Sequence, residues 1–216
     1  EQMQILLAIL VLLPFVSALL LALCGSDRMR RLIVYGSAGV LMISAVAFAV
    51  CFFSGENLQL RFLQSGGIID HTMLALEAGF AVLITVLSIK YRRYYVAVLS
   101  IVQTVLTFVY ELGGYKPAVQ PYNLFADQLT VIMVLIIAVV GTLITVYAVG
   151  YMRDYHSHHK EYTDRRRFFF AMLYVFLGAM FGLVLSNSLL WLYFFWEITS
   201  LVSFLLIGYT LSLIHI

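Results

Sequence analysis

The segment LLWLYFFWEITSLVSFLLIGYT, residues 189–210, decides the fold of this chain. Glu197 is the one charged residue in this apolar run, which is long enough to cross a bilayer as a helix. At a rise of 1.5 Å per residue, its carboxyl lies about 12 Å or more from either end of the run. An ionisable group near the bilayer centre raises the free energy of insertion by at least about 2.5 kcal/mol, so we interpret Glu197 as a functional residue.

The composition of the whole chain agrees with this segment. Hydrophobic residues make up 63% of the 216 residues, charged residues make up 11%, and the mean hydropathy is +0.99. A soluble domain carries about 25% charged residues. Because the apolar runs are continuous and do not alternate, they favour helices over a membrane barrel. We therefore predict an all-α polytopic transmembrane helix bundle, in contact with the lipid bilayer and without a nucleic-acid partner.

Long apolar runs predict seven membrane spans, at residues 3–23, 32–53, 72–89, 94–110, 124–152, 168–185 and 189–210. The basic residues test this division, because eleven of the thirteen Lys and Arg lie in or beside the segments 24–31, 90–93 and 153–167. Seven crossings put all three segments on one side of the membrane. The positive-inside rule then predicts that they are cytoplasmic and that the N-terminus lies outside.

Two acids besides Glu197 touch the apolar spans, and each has two interpretations. Asp127 stands at the start of the fifth span, where a side chain caps free backbone N–H groups or, alternatively, carries protons. Glu77 lies about five residues into the third span, as either an interfacial acid or a buried one. The sequence leaves both choices open.

Glu197 has a polar face on its own helix. Tyr193 and Ser200 lie at i−4 and i+3 from it, and Thr199 and Ser203 extend the stripe. We interpret Glu197 as a proton relay supported by Tyr193 and Ser200. The alternative is a permanently protonated acid that ties two helices together. No Lys or Arg lies deep in a predicted span, so a counter-charge would come from elsewhere.

Other motifs indicate packing or solvated surface. His156, His158 and His159 lie in the third basic segment, which we interpret as a solvated loop rather than a metal site. There is no glycine-rich phosphate loop and no cysteine cluster, so we expect no cofactor and no metal in this chain. Gly178 and Gly182 form a G-x-x-x-G pattern that predicts close helix packing.

Five motifs between residues 113 and 209 resemble the antiporter-like membrane subunits of respiratory complex I. The same family includes subunits of Mrp-type cation/proton antiporters and of proton-pumping membrane-bound hydrogenases. The motifs are NLFADQLT at 123–130, YMR at 151–153, RFF at 167–169, NSLLWLYFFWE at 187–197 and LLIGY at 205–209. The resemblance implies that Glu197 is the channel glutamate that pairs with a lysine on a later, broken helix, and that Asp127 is the acid opening the family's third helix.

The resemblance also implies an organisation. The family builds its channels from two inverted five-helix repeats, so we expect this chain to be an N-terminal fragment with an incomplete first repeat. Residues 1–110 would hold four spans, one hairpin more than the family pattern, and residues 111–210 would begin the proton-translocating domain. Residues 211–216 do not resemble the family.

The resemblance gives three functional hypotheses. The first is a proton- or sodium-translocating, non-catalytic membrane subunit of a redox-driven complex such as NADH:quinone oxidoreductase or an energy-converting hydrogenase. Its partners would be other membrane subunits and redox subunits that carry the cofactors, in a prokaryotic inner membrane. The second is a subunit of an Mrp-type cation/proton antiporter, and the third is a structural membrane subunit without ion transport.

Overall fold

Seven helices and a two-stranded ribbon form the protein in this computed structural model, which describes residues 2–55, 60–64, 68–90, 92–112, 122–158 and 164–209. The helices are α1 (Gln2–Leu23), α2 (Asp27–Phe53), α3 (Ile68–Lys90), α4 (Tyr94–Leu112), α5 (Gln128–His158), α6 (Arg166–Leu185) and α7 (Leu189–Ile207). The strands are β1 (Leu60–Gln64) and β2 (Tyr122–Ala126). The predicted all-α polytopic bundle is confirmed, with the ribbon as a small addition.

Each predicted span corresponds to one helix, because a chain in lipid can satisfy its backbone hydrogen bonds only within itself. Among the described residues, six helices are long and apolar enough to cross a membrane. The apolar part of α4, Tyr94–Tyr110, is shorter than the other six. The chain is therefore an integral membrane protein, while the side that each loop faces stays a prediction.

Three predicted boundaries were wrong. Residues 124–126 were expected to open the fifth span, but they belong to β2, because their backbone pairs with β1. The segment 24–31 is a loop only up to Ser26, since Asp27 begins α2 and places an acid in its first turn. Residues 153–158 of the third basic segment continue α5, because no Gly or Pro interrupts the helix after Gly150.

Several predictions fall outside the described residues. They concern the tail at 211–216, the end of the seventh span at Thr210, His159 and Lys160 in the third basic segment, and Lys116.

The centre of the bundle is α6, which packs against α1, α5 and α7, while α2 packs against α1 and α5. Apolar side chains fill this core, with Leu10, Leu21, Leu41, Phe48, Val134 and Phe181 fully buried. Buried polar contacts cross it: the hydroxyls of Ser37 and Tyr174 lie 2.6 Å apart, and the Tyr174 hydroxyl also lies 3.1 Å from the Val34 carbonyl, so that both contacts join α2 to α6. Gly178 faces the Phe15 ring of α1, in agreement with its predicted packing role.

The antiparallel ribbon fixes one end of the bundle, here called the ribbon end. Leu60 pairs with Ala126 and Gln64 pairs with Tyr122, so the α3–α4 hairpin lies between two paired strands of the chain. The turn between α6 and α7 is tied to β2, because the Asn187 backbone N–H donates to the Asn123 carbonyl over 2.8 Å. The opposite end, where α2 and α6 begin and α5 ends, is called the basic end.

The α3–α4 hairpin packs beside α7 and away from the central core. The rings of Phe80 and Phe194 meet edge to face, with their centroids 5.9 Å apart, and Met73 packs against the same α7 cluster. Both α3 and α7 start at the ribbon end, so they run in the same direction. This docking brings the polar side chains of the hairpin to the Glu197 segment.

Candidate functional site

Glu197 is the ninth of the 19 residues of α7, at mid-helix as the sequence predicts. Large apolar side chains on α7 hold the segment in place, and Trp191, Phe194, Phe195, Ile198 and Val202 are buried. Glu197 itself is partly buried. The rigid packing of its neighbours therefore fixes where the carboxyl points.

Glu197 accepts a hydrogen bond from Gln103 of α4. The Gln103 Nε2 atom donates to Glu197 Oε1 over 2.6 Å. The other carboxyl oxygen, Oε2, is buried and makes no hydrogen bond among the described residues. Gln103 was not predicted from the sequence as a site residue, although one signal was present: it is the single amide side chain in the apolar run 94–110.

An amide donor suits a carboxyl that changes its protonation state. The N–H group of Gln103 can donate to the carbonyl oxygen of a neutral carboxyl or to an oxygen of a carboxylate. A lysine or arginine at the same place would instead strongly favour the ionised form. The contact therefore holds the carboxyl in position without fixing its charge.

The predicted polar face of α7 bonds to its own backbone. The hydroxyls of Thr199 and Ser200 both donate to the Trp196 carbonyl, at 2.7 and 3.0 Å, and Ser203 donates to the Thr199 carbonyl at 2.7 Å. Such bonds are the usual arrangement for a hydroxyl inside a helix. Ser200 is therefore placed near Glu197 in sequence but gives its hydrogen bond to the helix.

Tyr193 and Glu77 extend the site towards the ribbon end. The Tyr193 hydroxyl interacts electrostatically with the carboxyls of both Glu197 and Glu77. Glu77 is only 2% exposed, so of its two predicted environments the structure gives the buried one. The described membrane helices thus hold two carboxyls beside one phenol.

The contact between Phe80 and Phe194 gives the relative heights of these groups. Glu77 precedes Phe80 by three residues, towards the ribbon end, and Glu197 follows Phe194 by three residues, towards the basic end. Because α3 and α7 run in the same direction, the two acids differ in height by about six residues, or roughly 9 Å. Tyr193 lies at an intermediate height.

Asp127 lies apart from this site, as the cap of α5. Its Oδ1 atom accepts a hydrogen bond of 2.8 Å from the Thr130 backbone N–H, and the Val131 N–H bonds to its carbonyl. The bond from the Thr130 N–H is the main reason that the pKa of Asp127 lies below its ordinary value. Of the two roles that the sequence allowed for Asp127, this geometry corresponds to capping.

The cap gives a testable stability difference. We expect Asp127→Ala to lower the free energy of unfolding by about 1 kcal/mol. We expect Asp127→Asn to keep most of the stabilisation that the cap provides. The folded pKa is depressed, so the contribution of the carboxylate is complete above the ordinary pKa of about 3.9 and decreases as the pH falls below it. Thermal denaturation in detergent at pH 7 and pH 3.5 measures both effects. A fully stable Asp127→Asn variant with impaired ion flux would instead favour the proton-carrying interpretation.

His156 and His158 of the third basic segment lie near the end of α5 and contact its backbone carbonyls. His156 Nδ1 lies 3.1 Å from the Met152 carbonyl, and its Nε2 atom lies 3.4 Å from the Tyr209 hydroxyl. The described residues contain no group of three or more metal-ligating side chains. Nearby, the Arg166 guanidinium holds the pKa of Asp164 well below its ordinary range. His156 Nε2 also lies 3.8 Å from Asp164 Oδ1, so His156 joins the end of α5 to the start of α6 and to the end of α7.

Comparison with known proteins supports the family resemblance. Residues 120–169 match the family described as NADH-ubiquinone oxidoreductase (complex I), chain 5 N-terminus. Na(+)/H(+) antiporter subunits from three bacterial species are among the proteins that are similar to this chain. The one from Staphylococcus haemolyticus is 33% identical over 116 residues, the one from Alkalihalophilus pseudofirmus 40% over 88 residues, and the one from Staphylococcus aureus 28% over 155 residues. The predicted resemblance to antiporter-like membrane subunits is confirmed.

The matches cover a limited part of each protein. The alignments include 54%, 41% and 64% of this chain, but only 13%, 10% and 18% of the three relatives. The family match ends at residue 169, before the Glu197 helix. The role of Glu197 therefore depends on its geometry.

Proposed function

We propose that the protein translocates protons or Na⁺ across a membrane with Glu197 as the channel carboxylate. Its similarity to antiporter-like membrane subunits supports this proposal. The curated relatives are named as Na(+)/H(+) antiporter subunits, which makes cation/proton antiport the first candidate. One observation carries the proposal. A mid-membrane carboxyl is held by a neutral amide through one oxygen, while its second oxygen is buried and makes no hydrogen bond among the described residues.

The proposed role of Glu197 is to alternate between a protonated and an ionised form. Gln103 keeps Oε1 in place in both forms, and Oε2 gains or loses the proton. None of the ion pairs among the described residues includes Glu197. We propose that a cation from the rest of the protein provides the counter-charge, since a nearby cation stabilises the ionised form and its withdrawal favours protonation.

Glu77 and Tyr193 would connect Glu197 to the ribbon end. Glu77 is buried, and it lies about 9 Å from Glu197 along the helix axis, towards the ribbon end. A phenol hydroxyl both donates and accepts hydrogen bonds, so Tyr193 can pass a proton between two carboxyls in a chain with water. Protons would then reach Glu197 from the surface that the basic residues predict to be the outer one.

Replacement of Gln103 tests this arrangement. We expect Gln103→Leu to reduce ion flux about tenfold, because a hydrogen bond to a charged group contributes roughly 1.5–3 kcal/mol. The measurement is ΔpH dissipation by the full-length protein with its membrane partners in sealed vesicles. Thr104→Val is the matched control, since the Thr104 hydroxyl donates to the Ser100 carbonyl of its own helix. Equal flux for Gln103→Leu and wild type would contradict the positioning role.

Translocation driven by electron transfer is the second candidate, because the family match is to a chain of complex I. In that case, the redox cofactors would belong to partner subunits. The same vesicles separate the two drivers. Antiport predicts ΔpH dissipation when Na⁺ is added without an electron donor, whereas a redox-driven protein requires the donor. Absence of flux under both conditions would favour the structural hypothesis.

A further inference from the structure

Three helix ends enclose a cavity at the basic end. The start of α2, the end of α5 and the start of α6 surround a volume of about 210 Å³. Four arginines line it, namely Arg30, Arg31, Arg153 and Arg166, together with Asp27 and Phe170. The positive-inside pattern predicted basic residues at this end but did not predict a cavity between them.

The charges that line this cavity are not balanced by their neighbours. Asp27 accepts from Arg30 over 2.7 Å and lies 3.5 Å from Arg166, which is also paired with Asp164. The part of the chain that the structure describes offers no ion pair to Arg31 or Arg153. The cavity is therefore a site of net positive charge.

Arg30 is the buried member of the group. The residue is 6% exposed, and its guanidinium carbon lies 5.9 Å from the centre of the Phe170 ring. Its Nε atom is buried and makes no hydrogen bond among the described residues. A guanidinium presents several donors in a fixed planar fork that matches a phosphate group. Arg30 thus lines the cavity with a guanidinium group of which one donor has no hydrogen-bond partner among the described residues.

We propose that this cavity binds the phosphate group of an anionic phospholipid. It lies at the end of three membrane-spanning helices, the level at which lipid headgroups are found, and basic pockets between such helices bind anionic headgroups. Leu32 and Tyr147 on α2 and α5 are 68% and 72% exposed, so the helices that line the cavity also present apolar surface to lipid acyl chains. This inference does not depend on Glu197 or on ion transport.

The test measures lipid binding to the assembled full-length protein in detergent. Native mass spectrometry and thermal shift are followed while phosphatidylglycerol, phosphatidylcholine or inorganic phosphate is added at constant ionic strength. We expect phosphatidylglycerol to bind and stabilise the protein at concentrations at least about tenfold below those at which either other probe acts. Equal effects of the two lipids, or stabilisation by inorganic phosphate alone, would overturn the proposal.

The variants separate a lipid site from a general basic surface. Arg31→Gln combined with Arg153→Gln removes the two exposed arginines, and we expect phosphatidylglycerol affinity to fall about tenfold while the lipid-free melting temperature stays unchanged. Arg28→Gln is the matched control. Arg28 is an exposed arginine of α2, like Arg31, but it does not line the cavity. Arg30→Lys tests the buried guanidinium group, because lysine keeps the positive charge but lacks the planar set of donors. Unchanged affinity in the double variant, or an equal loss in the Arg28 variant, would contradict the assignment.

Discussion

Glu197→Gln in the full-length protein is expected to reduce ion flux about a hundredfold or more, the usual scale for removing a positioned proton-transfer group. Glutamine has nearly the same shape, so it can still accept the hydrogen bond from Gln103 Nε2. It cannot bind or release a proton at the pH of the assay. We therefore expect membrane insertion and assembly with partner subunits to stay normal while ΔpH dissipation in vesicles falls to the background rate.

Two further substitutions sharpen this result. Glu197→Asp keeps a titrating group but shortens the side chain, so flux should fall partly rather than completely. Glu197→Ala is less informative, since it also creates a cavity and leaves Gln103 without its partner. Undiminished flux in a correctly assembled Glu197→Gln variant would show that the acid only ties α7 to α4. The structural hypothesis would then replace the transport one.

The helices could be predicted from the sequence because lipid imposes one rule on every span. An apolar run of about 20 residues must form a helix, whatever its neighbours do. The wrong boundaries lie where tertiary contacts replace that rule. Residues 124–126 form a strand because Leu60 and Phe62 of β1 pair with them, and this pairing joins segments that lie far apart in the sequence. No local pattern encodes such a contact.

The candidate site, like the fold, could be predicted from the sequence only in part. Glu197 could be found because its charge stands out in an apolar segment, but Gln103 is 94 residues away on another helix. Glu77 stayed ambiguous because its burial depends on how α3 docks against α7, which the Phe80 and Phe194 rings decide. Ser200 has the spacing that places it on the Glu197 side of the helix, but its hydroxyl donates to the Trp196 backbone carbonyl.

The ribbon is also relevant to the additional hairpin that the family resemblance predicts. The chain leaves β1, forms α3 and α4, and returns to β2 as the antiparallel partner. The α1–α2 pair instead packs directly against α6 and α5 in the core. This arrangement favours α3–α4 as the additional hairpin. Gln103 and Glu77 would then be additions to the Glu197 site that came with it.

Gly182→Val is expected to destabilise the α6–α7 hairpin by about 1–3 kcal/mol, because it overpacks a tight contact. A Cβ atom at this position would lie 2.6 Å from Cε2 of Phe195, a distance too short for two carbon atoms. Phe195 is itself only 4% exposed, so its ring cannot simply turn away. We expect a melting temperature several degrees lower for the full-length protein in detergent, with reduced flux because α7 also carries Glu197.

Gly150→Val is the matched control, since nothing lies within 4 Å of a Cβ atom placed at Gly150 of α5. Both substitutions put the same β-branched residue into a membrane helix, so their difference isolates the contact with Phe195. Phe195→Ala destabilises the protein by itself, but Gly182→Val should cost less stability in that background than in wild type, because the smaller side chain leaves room for the new methyl groups. If the two valine variants melted at the same temperature, the close packing of α6 against α7 at Gly182 would be contradicted, and with it the rigid placement of the Glu197 carboxyl beside Gln103.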